Sequence, residues 1–162
     1  MTVFLKGTAL LLGIVLLQTS VLPQYLIALY KPDLLLVLMV FLALRAPVST
    51  SLPAAYGLGL LKDCLSGLYL GLNAFSFLLV YLVLKALSDR LYVQNALLLV
   101  LTVSLSTIAT MLINALLLSI FSEAAGIYSS LMTALIPHLL VNAFAASLVA
   151  VLPEFGRPRT AK

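Results

Sequence analysis

Charge is scarce in this chain. Only 9% of its 162 residues are charged, where a soluble domain carries about 25%. That deficit excludes a globular domain folded in water. Tryptophan is absent, so anchoring at a membrane surface falls to the seven tyrosines and to Lys and Arg. The single cysteine, Cys64, excludes an intramolecular disulfide, and it lies too far along the chain for an N-terminal lipidation site. Histidine occurs once, at His138, and the acids are scattered, so no metal set and no cofactor are expected. No nucleophile elbow surrounds any serine. Ser66, His138 and Asp63 fall on different segments, which argues against a covalent enzyme and leaves no catalytic residue to name. The net charge of +4 is spread along the chain, which speaks for membrane topology rather than nucleic-acid binding.

What fills the chain is hydrocarbon: 64% of the residues are hydrophobic. A helical crossing needs about 20 such residues. The runs predict spans at 3–22, 32–45, 49–65, 70–87, 95–121 and 128–152. The expected fold is all-α, a polytopic membrane helix bundle with six transmembrane helices. The domain expectation is one transmembrane domain over 1–152 and a short basic cytoplasmic tail at 153–162. The first run ends in Gln18-Thr19-Ser20-Val21-Leu22-Pro23 without a small-x-small cleavage pattern, so it reads as a span and not a signal peptide. The second and third spans are short. The uncharged part of the second, Leu34–Leu44, is 11 residues, about 16 Å of helix, and a re-entrant hairpin of these two spans is an alternative to two crossings. Pro32 suits a first helical turn and Asp33 the positive helix end. Ser49, Thr50 and Ser51 are candidate caps for the third span, with Pro53 near its first turn.

Either arrangement gives the same parity. With the N-terminus inside, the cytoplasmic side receives Lys6, Arg45, Lys85, Arg90, Arg157, Arg159 and Lys162, and the outer side only Lys31 and Lys62. This positive-inside bias predicts both termini in the cytoplasm. It also sets Asp63 near the outer leaflet.

The segment Tyr56–Ala74, YGLGLLKDCLSGLYLGLNA, concentrates the unusual residues. Asp63 and Asn73 are costly in lipid. Gly57, Gly59, Gly67 and Gly71 let backbones approach closely. Two readings of Asp63 stand: a buried carboxylate holding a cation, a backbone N–H or a ligand, or a cap for the turn at Ser66-Gly67. Lys62 is adjacent and need not pair with it. In the fifth span, Thr102, Ser106, Thr110 and Asn114 recur every four residues. That stripe predicts contact with neighbouring helices, with the lining of a cavity as the alternative. In the sixth, His138 and Asn142 share a face after Pro137. With Asn114 they are the candidates for a polar pocket.

Two stretches together resemble a known family. Leu16-Leu17-Gln18-Thr19-Ser20-Val21-Leu22-Pro23, followed by Lys31-Pro32-Asp33-Leu34-Leu35-Leu36, is similar to the start of the bacterial rod-shape-determining MreD family. Gly57-Leu58-Gly59-Leu60-Leu61-Lys62-Asp63-Cys64-Leu65-Ser66-Gly67, then Leu70-Gly71-Leu72-Asn73-Ala74, resembles its most recognisable motif. The likeness runs from about Ile14 to Arg90, and beyond that it rests on span count and hydrophobic length. It implies a non-enzymatic inner-membrane scaffold of the cell-elongation machinery. The implied partners are the bitopic protein MreC and, in a wider complex, MreB, RodA and a class B transpeptidase, which support lateral peptidoglycan synthesis. Membrane lipids and a second copy of the chain complete the partner expectations. The family also resembles in fold the S components of energy-coupling-factor transporters, whose pocket faces outward. Carried over, this sets Asp63, Ser66, Gly67, Gly71 and Asn73 at the mouth of such a pocket. The alternatives are a substrate-binding subunit of a vitamin-type transporter and a lipid-binding protein.

Overall fold

The computed structural model describes residues 9, 11–27, 30–67, 69–88, 96–121 and 127–151. Among these residues the chain is all-helical, with six helices and no strand. Helix α1 is Leu11–Tyr25, α2 is Leu34–Arg45, α3 Val48–Ser66, α4 Leu72–Ser88, α5 Ala96–Phe121 and α6 Ile127–Val151. Two stretches are long and apolar enough to cross a membrane, Leu97–Ile120 within α5 and Thr133–Val151 within α6. The basic tail 153–162, Lys6 and Arg90 lie outside the described residues.

The shortest of the later helices is the centre of the bundle. The sequence of α2, LLLVLMVFLALR, is apolar on every side, as a helix surrounded by others must be. It packs against α3, α4, α5 and α6. Leu35, Met39, Val40 and Ala43 have no exposed surface at all. The helix starts two residues later than the proline suggests. Asp33 is the N-cap, its carboxylate accepting from the Leu36 N–H at 3.1 Å, and Pro32 lies outside the helix. At the other end Lys85, from α4, donates to the carbonyls of Ala46 at 2.9 Å and Ala43 at 3.3 Å. An acid at the N-terminus and a cation at the C-terminus both oppose the helix dipole.

The second helix is short, at 12 residues, but the third is not, at 19. Helix α3 begins directly after Pro47, which takes the N-cap position without a side-chain hydrogen bond. None of Ser49, Thr50 and Ser51 caps it. Ser51 lies inside the first turn, donates to the Pro47 carbonyl at 2.9 Å and meets the Tyr81 hydroxyl at 2.7 Å, both side chains fully buried. Pro53 falls in the second turn and the helix continues through it. Helix α1 leans on this core through Leu11, Ile14 and Val15. Its stretch Leu17–Val21 is a π-turn holding Gln18, Thr19 and Ser20.

Lys85 and the C-terminal end of α2 share one end of the bundle, while Lys62 and the N-terminal end of α2 lie together away from it.

Candidate functional site

Helix α3 ends by handing two consecutive side chains to two different helices. Gly67 stops it in the left-handed conformation (φ 65°), which costs glycine nothing, and its N–H returns to the Asp63 carbonyl at 3.0 Å. Gly71 is left-handed too (φ 96°) and turns the chain into α4. The turn brings the exposed N–H groups of α4's first residues onto the Asp63 carboxylate. That carboxylate accepts from Gly71 N at 2.9 Å, Asn73 N at 2.9 Å and Ala74 N at 3.0 Å, and from the Asn73 side-chain amide at 2.9 Å. Asp63 is 1% exposed and Asn73 8%. Four donors leave the carboxylate no unused face for a ligand.

The fit of α3 against α4 depends on Gly59. A Cβ there would press into the Ala74 Cα and lie 2.9 Å from Ala74 N and Asn73 O. Gly57, two residues earlier, has nothing within 4 Å of a Cβ. The hydroxyl of Ser66 only returns to the Asp63 carbonyl, at 3.1 Å. Beyond Asp63 the polar chain continues. Asn114 of α5 donates to the Asn73 side-chain carbonyl at 3.2 Å and accepts from the Ser76 hydroxyl. Asn114 is the one member of the four-residue stripe with a hydrogen bond to another helix. Thr102, Ser106 and Thr110 donate to carbonyls four residues back in α5, at 2.6–2.8 Å.

The other side chain, Lys62, reaches the N-terminus of α2. Its ammonium pairs with Asp33 and lies 5.1 Å from the centroid of the Phe77 ring. Asp33 donates its own N–H to the Asn142 carbonyl oxygen of α6 at 2.7 Å, and the Asn142 amide donates to Thr107 of α5 at 3.1 Å. His138, one turn before Asn142 and half-buried, lies within electrostatic reach of Asp33 and Lys62 and close to the Lys31 backbone. So the structure divides the three polar-pocket candidates: Asn114 joins Asp63, while His138 and Asn142 join Asp33.

Sequence reasoning missed Lys62, Asp33, Ser76 and Thr107 as partners, and Lys85 as a cap. The usable signal was Asp33 with Leu36 at cap spacing. Its pairing with Lys62, across 29 residues, had none. Beside the Asp63 cluster lies a cavity of about 450 Å³, lined by Tyr69, Leu70, Gly71, Leu72, Phe75, Leu117 and Leu118. Its lining is nearly all hydrocarbon, so its chemistry suits an apolar chain better than a polar solute. Among the described residues no cluster of His, Cys, Asp and Glu is placed to hold a metal ion.

The family model described as rod shape-determining protein MreD matches residues 1–154. Comparison with curated proteins and with solved structures returned no match. The matched region takes in both polar clusters and all six helices, and the chain belongs to the MreD family of membrane proteins, whose role is the determination of rod shape.

Proposed function

We propose that the protein is a multi-pass scaffold of the bacterial inner membrane, with six crossings and both termini in the cytoplasm. It binds the transmembrane helix of an MreC-like bitopic partner and supports lateral peptidoglycan synthesis with MreB, RodA and a class B transpeptidase. It acts by binding and has no catalytic centre. Family membership supports the cellular role. Seven of the nine Lys and Arg residues fall on the cytoplasmic side of that topology, which supports the orientation under the positive-inside rule.

The observation that carries the docking reading is the outward face of α3. Ser49, Thr50, Pro53, Tyr56 and Gly57 are all exposed there. Lipid gains little from such a face, whereas small and hydroxyl-bearing residues let a second helix approach closely. An apolar groove of about 260 Å³, lined by Leu11, Leu42, Ala54, Gly57, Leu58 and Leu61, runs beside it. A Cβ at Gly57 meets no atom of this chain within 4 Å, so the added bulk of Gly57→Leu starts into the open docking face rather than into the packed core.

Co-isolation in mild detergent tests the proposal. The tagged wild-type protein should retain the MreC-like partner, and Gly57→Leu should lose most of it while keeping its own thermal midpoint. A deletion strain should round up, and Gly57→Leu should fail to restore rods. Normal rods in the deletion strain, or full retention of the partner by Gly57→Leu, would count against it.

A further inference from the structure

We infer that the Asp33–Lys62 pair is a hydrated, charged site at mid-membrane depth, open to water and small hydrophilic solutes from the end of the bundle that carries the Gly67–Gly71 turn. The inference rests on the proposed crossing of the membrane by α5 and α6. Its depth comes from a short chain of contacts. Asp33 bonds Asn142, and Asn142 bonds Thr107. Asn142 lies at the middle of the apolar stretch Thr133–Val151, and Thr107 near the middle of Leu97–Ile120. The N-terminus of α2 is therefore one side chain away from the centre of α6 and two from that of α5.

Length agrees with this depth. Twelve residues of α2 make about 18 Å of helix, enough for one half of a hydrocarbon core about 30 Å thick. Leu26 and Ile27 are not helical, nor are Lys31 and Pro32. Non-helical backbone at that depth is tolerated only inside protein or beside water.

The charges point the same way. Despite their depth, the Lys62 and Asp33 side chains keep 24% and 14% of their surface exposed. Facing hydrocarbon, that surface would be costly for both ions. Below the pair the route is shut, because Leu35, Leu36, Met39 and Val40 of α2 are buried on all sides. Water must come from the opposite direction, past the half-buried His138. Asp63 contributes nothing to the site, since its four donors close it.

Thiol accessibility in proteoliposomes tests this, in a Cys64→Ser background, with a small sulfonated methanethiosulfonate as the probe. Leu70→Cys, 80% exposed in the turn, marks the open end, and Leu140→Cys, 63% exposed on α6 two residues from His138, marks the lipid face. A thiol reacts as its thiolate, which hydrocarbon suppresses, so His138→Cys should react within about tenfold of Leu70→Cys and about a hundredfold faster than Leu140→Cys. It should do so from the side that labels Leu70→Cys. A second variant, Lys62→Cys with Asp33→Asn, removes both charges together and should behave as His138→Cys does. Labelling of both variants as slow as that of Leu140→Cys, or only from the other side, would overturn the inference. Fast labelling of Leu140→Cys itself would overturn the membrane placement on which it rests.

Discussion

Two helix N-termini are held by neighbouring residues of α3, and they are held differently. Asp63 caps α4 directly. Its carboxylate takes three backbone N–H groups and one amide, and nothing is left over. Lys62 acts on α2 at one remove. It pairs with Asp33, which is the cap, and the pair keeps exposed surface. The first arrangement is closed and fully satisfied, so it locks geometry. The second is a charged pair that keeps exposed surface on both members, so the loss of one leaves the other a path to solvent. A buried acid in a membrane protein invites a functional reading. Here the more deeply buried acid is the structural one, and the partly exposed pair is the one with chemistry to spare.

That contrast can be broken from either side. The largest effect is expected for Asp63→Ala, which strands buried donors at about 1–3 kcal/mol each. The unfolding midpoint in detergent should fall far enough that little folded protein survives purification. Next is Gly59→Ala, which forces α3 off α4 at a cost of about 1–3 kcal/mol. Gly57→Ala, two residues away, should leave the thermal midpoint unchanged. Asp33→Ala should cost less than Asp63→Ala, because Lys62 retains access to water. The double variant Asp33→Asn/Lys62→Met should recover part of that loss, and a double-mutant cycle measures the coupling. Smallest is Tyr81→Phe, which removes one buried hydrogen bond to Ser51, worth about 1 kcal/mol. Its midpoint should fall slightly, with partner retention unaltered.

Much of this fold was legible because lipid imposes simple rules. Run lengths set the helices to within a few residues, and Gly67 and Gly71 marked the turn between α3 and α4. Asp63 and Asn73, set among glycines in the sequence, lie where Gly59 brings α3 against the backbone of α4. What the residues concealed was mostly pairing in space. Lys62 and Asp33 are 29 positions apart, and only the packed rotation of α2 against α3 brings them together. The hydroxyl stripe of α5 does pack inward, with Ser106 and Thr110 buried, but its hydroxyls bond within their own helix. A hydroxyl can satisfy itself at the carbonyl four residues back, so its spacing says nothing about a neighbour's donor or acceptor. An amide cannot be satisfied so simply, and Asn114 is the member that reaches across. In sequence the third helix looks short because Pro53 and the Ser-Thr-Ser run suggest a start, whereas Pro47 supplies it and Ser51 is spent on Tyr81.

Hydrogen exchange at the first turn of α4 tests the central claim most directly. If Asp63 is the cap of that helix, the peptide containing Gly71, Asn73 and Ala74 is strongly protected in the intact protein. Asp63→Asn should speed its exchange by about tenfold or more, the equivalent of roughly 1.4 kcal/mol of lost protection. The first turn of α2 should change far less. Unchanged exchange at α4, or an equal rise at both helix starts, would contradict the account.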